Sequence, residues 1–384
     1  VLYTSVLQTP ILLLGSLIIL VLGFKELGGW DEMMRVCGAV TVNDYGDTMT
    51  NLIRSNDDAN FPWLGALIGS AIIGFWYWCT DQFIVQRVLS GKNEMEARRG
   101  TIFGAYLKLL PVFLFLIPGM IAFALHQKYI GAGGEGFLPM LANGTANADA
   151  AFPTLVAKLL PAGVKGLVVC GILAALMSSL ASLFNSSAML FTIDFYKRFR
   201  PETPEKKLVG IGQVATVVIV ILGILWIPIM RSVGDVLYTY LQDVQSVLAP
   251  GIAAAFLLGI CWKRTSAQGG MWGLIAGMVI GLTRLGAKVY YSNAGEVADS
   301  TFKYLFYDMN WLFFCGWMFL FCIIVVIVVS LATKAPTAEK IQGLVFGTAT
   351  KEQKAATRAS WNHWDIIHTV IILAITGAFY WYFW

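Results

Sequence analysis

The feature that most constrains this sequence is a series of apolar runs, each about 20 residues long. A helix of about that length crosses a bilayer, and it keeps all its backbone polar groups bonded within the segment. Hydrophobic residues make up 57% of the chain and charged residues 13%, whereas soluble domains carry about 25% charged residues. The sequence therefore predicts an all-α polytopic membrane protein. We place nine spans, at about 4–25, 61–79, 102–126, 165–192, 208–230, 236–262, 268–287, 311–333 and 365–384.

Lysine and arginine residues predict the orientation of these spans, because cytoplasmic loops of helical membrane proteins are enriched in them. Most of the 27 basic residues lie in alternate connections. We interpret four loops as cytoplasmic: 80–100, 193–207, 263–267 and 334–364. The net charge of +4 follows from this loop bias and indicates no nucleic-acid partner. We expect a multi-pass protein of the plasma membrane, or of the inner membrane if the source is bacterial.

Residues that carry enzyme or metal chemistry in other proteins form no recognisable constellation in this sequence. The six cysteines include no Cys-x-x-Cys pair, and five of them lie in or at the ends of apolar spans, as small hydrophobic residues do. The three histidines have no carboxylate partner at ligand spacing. A Gly-rich phosphate loop and a nucleophile elbow are also missing. We expect no enzyme activity and no cofactor.

Aromatic, hydrogen-bonding and charged groups converge at the end of the second span, in Trp76-Tyr77-Trp78-Cys79-Thr80-Asp81-Gln82, which leads straight into a segment ending at Arg87. Polar groups at membrane depth are tolerated where they face protein, a water-filled cavity or a ligand, so the cluster favours a solute pathway. An interfacial belt, in which Trp and Tyr lie at headgroup depth, is an equally compatible alternative.

A lysine inside the third span is the second candidate. Lys108 lies about two turns from the cytoplasmic start of this span, and Pro111 and Pro118 follow it. The lysine could extend to the interface. We favour a lysine that faces the pathway, because the prolines free backbone carbonyls that a cavity or a neighbouring helix must satisfy.

Small residues form a stripe on the fourth span, at Gly171, Ala175, Ser178 and Ser182, and Ser179 flanks it. Such stripes usually let two membrane helices pack closely. The alternative is a sodium site, because hard cations prefer neutral oxygen ligands such as the Ser178 and Ser179 hydroxyls and the Ala175 carbonyl. The spacing leaves both interpretations open.

Several motifs in a fixed order carry a resemblance to a known family. They are the segments from Trp76 to Arg87, Tyr106 to Pro111, Leu176 to Ser186, Phe191 to Tyr196, Tyr240 to Gln242 and Pro250 to Arg264. Together they resemble the sodium/solute symporter family, in particular its sodium/glucose cotransporter branch. The resemblance runs along nearly the whole chain.

The resemblance implies a LeuT-like fold of two inverted five-helix repeats, with sugar and sodium bound near the midplane beside broken helices. The first span would end the first repeat, and the next five would form the second. Residues 1–262 would then belong to the transport core, and 263–384 would add three peripheral spans and a cytoplasmic loop near 334–364. The sequence begins at Val1 and not at Met, so we expect upstream helices of the same protein to be missing from this chain.

The resemblance also implies roles for individual residues. Tyr77 would stack on the sugar with Trp78 beside it, and Lys108 and Gln242 would bind sugar hydroxyls. Gly74 and Gln245 stand at further substrate positions where relatives carry other residues. Sodium would bind Ala175, Ser178 and Ser179. The remaining motif residues, at the cytoplasmic end of the helix, are Asp81, Gln82 and Arg87.

The expected function is therefore sodium-coupled import of a hexose-like sugar, such as glucose or galactose, by alternating access. The expected partners are the sugar, Na⁺ as coupling ion and the lipid bilayer. Two alternatives remain: the same machinery moving a polyol or a small carboxylate, and a sugar-gated sensor or channel on this fold. We also predict a short amphipathic helix near 152–161, which is compatible with either a lid or a passive interfacial helix.

Overall fold

A computed structural model describes residues 2–141, 144–233, 237–294 and 298–384, with side chains except at 2–8, 229, 231–233 and 293. The described residues form α-helices joined by short π- and 3-10 turns, and they contain no β-strand beyond isolated bridges. The helices are α1 (Leu2–Leu27), α2 (Trp30–Gly38), α3 (Trp63–Cys79), α4 (Gln82–Leu89), α5 (Glu94–Pro111), α6 (Ile117–Gly131), α7 (Ala151–Leu159), α8 (Ala162–Met189), α9 (Lys197–Phe199), α10 (Glu205–Val233), α11 (Leu237–Cys261), α12 (Ala267–Asn293), α13 (Thr301–Lys303), α14 (Trp311–Ala332), α15 (Ala338–Ile341), α16 (Lys351–Ala359) and α17 (His363–Tyr382).

The predicted membrane spans correspond to these helices. Among the described residues, eight helices or helix runs are long and apolar enough to cross a membrane. A ninth candidate is the bent pair α3 and α4, whose axes differ by 51°. The all-α polytopic class is thus confirmed. Two spans are longer than predicted, at 38 residues each for Glu94–Gly131 and Ala162–Phe199, because a helix continues into polar sequence that hydropathy does not count.

The prolines of the third span change its helical register without ending it. A π-helix, Val112–Leu116, follows Pro111, and Pro118 lies in the first turn of α6. Proline cannot donate the backbone hydrogen bond of a helix interior, and a π-turn between two α-helices accommodates that loss. The run from Glu94 to Gly131 therefore remains one candidate span.

Contacts divide the chain into two units, each made of two separate segments. The first unit comprises 1–51 and 104–228, and the second comprises 52–103 and 229–384. These two units are defined by contacts within the structure, whereas the predicted division at residue 262 concerns roles in transport. The predicted transport core (1–262) and peripheral spans (263–384) therefore stay a prediction.

In the first unit, the core lies where α1, α2, α6, α7 and α8 meet, around Ile19, Leu125 and Leu155. The short amphipathic helix predicted near 152–161 is present as α7, and its buried face carries Leu155. The preceding loop is anchored: the Leu138 N–H donates to His126 Nδ1 at 3.0 Å, and Lys158 donates to the Phe137 carbonyl at 2.8 Å. Whether this segment acts as a lid stays a prediction.

In the second unit, α3, α11, α12 and α14 pack against one another. Glycines of α12 bring it unusually close to its neighbours. A Cβ on Gly277 would lie 2.9 Å from the Gly251 Cα, and one on Gly281 would lie 2.5 Å from the Val247 carbonyl oxygen, both in α11. Backbones that touch in this way are typical of tightly joined membrane helices.

Candidate functional site

The aromatic and polar motif at 76–82 lies at the end of α3, where the second span was predicted to end, and the chain changes direction there. Helix α3 ends at Cys79, and α4 starts at Gln82 in a different direction. The amides of Thr80 and Asp81 both donate to the Trp76 carbonyl, at 3.0 and 3.1 Å. The Asp81 side chain then accepts the Phe83 N–H at 3.0 Å and caps α4. The Thr-Asp pair therefore stops one helix and starts the next.

The aromatic residues before the break stand next to open space. The Tyr77 and Trp78 rings make an edge contact, with centroids 5.2 Å apart, and Trp78 is 50% exposed. Gly74 is one turn earlier on the same face, and a Cβ there would meet no atom within 4 Å. This part of α3 combines an aromatic face with room beside it.

Two amides on α11 are the next candidates. Gln242 and Gln245 are half-buried and lie one turn apart. Among the described residues, neither amide has a hydrogen-bonding partner on another side chain or on the backbone. Helices α3 and α11 pack together, with Ile72 and Ile73 of α3 against Ala249 of α11. The aromatic and the amide candidates thus belong to two helices of the same unit.

The predicted sodium ligands lie in α8, which runs without a break from Ala162 to Met189. Ala175 and Ser178 are half-buried and Ser179 is exposed. Ser182 donates its hydroxyl to the Ser178 carbonyl at 3.1 Å, so hydroxyls of this stripe do bond back to the helix. The Ser179 hydroxyl has no such bond within the described part of the chain.

The other predicted residues are distributed as follows. Lys108 is exposed on α5 and belongs to the same unit as α8. Gln82 is half-buried in the first turn of α4, and Arg87 lies over the Phe83 ring, 4.6 Å from its centroid. The sodium candidates and Lys108 therefore fall in the first unit, and the aromatic residues, the amides and Gly74 fall in the second.

The structure also contains a buried charge cluster that the sequence analysis overlooked. Asp243 of α11 contacts two basic residues of α12: Arg284, which is fully buried, at 3.4 Å, and Lys288 at 2.5 Å. A signal for it was present, because charged residues inside apolar spans are rare and need partners. Asp243 and Arg284 are opposite charges inside two successive predicted spans.

An open cavity of about 710 Å³ lies elsewhere, on the first unit, between the loop 135–140 and α7. The residues predicted to bind sugar or sodium are not among those that line it. No group of three or more metal-ligating side chains occurs among the described residues.

Comparison with known proteins decides the family. Residues 1–277 match the sequence model of the Sodium:solute symporter family. This chain belongs to that family. The resemblance of the sequence motifs is thereby confirmed, and the family is one of transporters and not of enzymes.

Three curated relatives illustrate the similarity. The chain is 35% identical to the Sodium/mannose cotransporter SLC5A10 of Bos taurus, over 100% of this chain and 68% of the relative. It is 35% identical to the Sodium/myo-inositol cotransporter 2 of Homo sapiens, over 91% of this chain and 53% of the relative. It is 37% identical to the Sodium/glucose cotransporter 1 of Ovis aries, over 87% and 53%. The chain therefore spans about half the length of the last two.

Proposed function

We propose that the protein containing this chain is a sodium-coupled importer of a hexose-like sugar, working by alternating access in the plasma membrane. The observation that carries the proposal is the break between α3 and α4, which places Tyr77 and Trp78 at the end of an interrupted membrane helix. Broken helices mark the binding sites of many secondary transporters, because their ends expose backbone groups that a solute or ion can use. The named substrates of the relatives, glucose, mannose and myo-inositol, support a solute rich in hydroxyls.

The side chains of the second unit suit a sugar. A pyranose offers an apolar face to an aromatic ring, and Tyr77 provides that ring beside the open space at Gly74. Its rim of hydroxyls needs donors and acceptors, which the half-buried amides of Gln242 and Gln245 supply. Lys108, in the first unit, is a separate candidate for binding a sugar hydroxyl.

The oxygens of α8 suit sodium. The hydroxyls of Ser178 and Ser179 and the Ala175 carbonyl lie within about one turn of a continuous helix, and they are neutral ligands of the kind that hard cations prefer. We propose that the rest of the coordination shell comes from other parts of the inverted-repeat fold. Ser5 stands where relatives often carry an aspartate, which argues against a second sodium ion per solute, and its side chain lies outside the described residues.

Sodium would supply the driving force for uptake. Each positive charge that moves inward gains about 2.3 kcal/mol per 100 mV of membrane potential, in addition to the concentration gradient. Solute and ion must therefore cross together, and the occupied protein must open alternately to the two sides.

A polyol is the second candidate substrate, and the residues at two positions favour it. Gly74 leaves space that a larger side chain would fill. Gln245 carries an amide on a longer side chain than that of a serine or threonine. Both features suit a ring whose hydroxyls are arranged differently from those of glucose. The relative named for myo-inositol is as similar to the chain as the one named for mannose.

The test is uptake by the full-length protein in proteoliposomes. Labelled glucose, galactose, mannose and myo-inositol are each offered with an inward sodium gradient, and then with potassium replacing sodium. We expect sodium-dependent accumulation of a hexose that excess unlabelled hexose abolishes. Accumulation of myo-inositol that excess hexose leaves unchanged would show that the substrate is a polyol. Currents without accumulated solute would indicate a sensor or channel.

A further inference from the structure

The buried charge cluster of the second unit joins α11 and α12 at one end of their contact. Asp243 is 8% exposed, and its two carboxylate oxygens contact different cations, Arg284 and Lys288, which lie one turn apart on α12. Two cations thus share one carboxylate. Opening such a contact would leave buried charges without partners, so the cluster resists separation of the two helices.

Arg284 extends the cluster to a third part of the unit. Its guanidinium donates to the Met309 carbonyl at 2.8 Å and lies 4.0 Å from the centre of the Phe314 ring in α14. Its side chain is 0% exposed, and its Nε has no hydrogen-bonding partner among the described residues. Through Arg284, Asp243 is tied to the segment before α14 and to α14 itself.

The cluster lies about two turns before a weak point of α11. Pro250 lies inside α11 and has no N–H to donate to the carbonyl one turn earlier, so the helix is weakened there. Close contacts with α12 lie on both sides of this point, at Val247 against Gly281 and at Gly251 against Gly277. One turn before Val247, the Asp243 carboxylate adds a further contact with α12, and the Ser246 hydroxyl bonds back to the Asp243 carbonyl at 2.6 Å.

We propose that Asp243 is a positioning residue for the substrate amides: with Arg284 and Lys288, it holds the segment 237–249 so that Gln242 and Gln245 face the solute. This inference rests on the proposed function. Gln242 precedes Asp243 directly and Gln245 follows two positions later, so the carboxylate and the amides lie on different faces of one short segment. A rotation of that segment would move both amides away from the solute. Asp243 itself would not contact the sugar.

The first test compares sugar kinetics in variants of the full-length transporter. We expect Asp243→Asn to raise the KM for the transported sugar about five- to tenfold, as if one hydrogen bond to a hydroxyl were lost, with a smaller change in maximal rate. Asp243→Glu, which keeps the carboxylate, should restore most of the affinity. The matched control is Asp299→Asn, since Asp299 forms an exposed pair with Lys303 at 2.8 Å, and its KM should stay at the parent value.

A milder variant covers the case in which Asp243→Asn does not fold. Lys288→Met leaves the pair of Asp243 and Arg284 in place, and we expect it to raise the KM about two- to threefold. A KM equal to that of the parent in every folded variant of Asp243 and Lys288 would overturn the proposal.

A second measurement separates this proposal from the proposed function. Spin labels at the exposed positions 241 on α11 and 282 on α12, with the exposed native cysteines replaced, report the distance between the two helices. We expect one narrow distance distribution in the parent and in Asp243→Glu, and a broad or shifted one in Asp243→Asn. If the parent transports no hexose, the proposed function fails, and the distances alone then test whether Asp243 holds α11 against α12. A narrow, unchanged distance distribution in Asp243→Asn would refute that contact's positioning role.

Discussion

Helices α8 and α12 carry the same sequence pattern, small residues repeated along one face, but the structure uses the two stripes differently. In α12, the stripe of Gly269, Gly273, Gly277 and Gly281 is pressed against atoms of neighbouring helices, so closely that a Cβ would clash at each position. In α8, Gly171 is similarly close to Ile11, at 3.2 Å. Further along α8, Ser178 is half-buried and Ser179 is exposed.

The difference teaches how to separate a packing stripe from a stripe that is proposed to bind an ion. Small residues that let two backbones touch are covered by the neighbouring helix, so they present no accessible polar group to a ligand. The hydroxyl of Ser179 has no partner among the described residues, so it can serve an ion. Small residues recur every three or four positions in both helices. What decides between the interpretations is which atoms lie opposite them.

The largest effect should come from filling the packing stripe. We expect Gly277→Ala to lower the free energy of unfolding by about 1–3 kcal/mol, because its Cβ would overlap the Gly251 backbone and force the helices apart. Gly270→Ala is the matched control on the same helix, where a Cβ meets no atom within 4 Å. Thermal melting of the purified protein measures both. Equal stabilities would show that α11 and α12 are not packed as described.

The next effect tests the proposed sodium site on α8. We expect Ser179→Ala to raise the sodium concentration for half-maximal uptake about tenfold, because an ion loses one oxygen ligand, while the melting temperature stays near that of the parent. Uptake as a function of sodium concentration gives the value. An unchanged sodium dependence would place the ion elsewhere and return the α8 stripe to a packing role.

A smaller effect concerns a glycine that neither packs nor binds through a side chain. We expect Gly74→Ala to leave stability unchanged and to raise the KM for the sugar about fourfold, because one methyl group would occupy space beside Tyr77. Sugar kinetics and melting of the same preparation check the two parts. Loss of stability without a change in KM would show that the space at Gly74 belongs to packing.

The smallest effect should follow Ser182→Ala. This serine is buried and bonds back to the Ser178 carbonyl, so its loss removes one weak helical contact and no proposed ligand. We expect the half-saturating sodium concentration to change by less than about twofold. A change as large as that of Ser179→Ala would mean that the ion lies one turn further along α8.

The sequence predicted the spans well, because each depends on apolar residues that are consecutive in the chain. It did not predict the change of direction between Cys79 and Gln82, since hydropathy carries no information on direction, although Asp81 is a typical helix cap. It also missed the contact of Asp243 with Arg284, which joins residues 41 positions apart and arises only when α11 and α12 pack. The proposed role of Tyr77 came from the family resemblance, and the resemblance favoured the sodium site at Ser179 that the spacing had left open, because a transport site is assembled from several helices.

The most direct test of sodium-coupled sugar transport measures both fluxes at once. Proteoliposomes with the full-length protein receive labelled sodium and labelled hexose, with and without an opposing membrane potential. We predict that hexose entry brings sodium with it in a constant ratio, that potassium supports neither flux, and that Ser179→Ala lowers both together at low sodium. Hexose accumulation that is equal in sodium and potassium, or sodium entry that does not depend on hexose, would contradict the account.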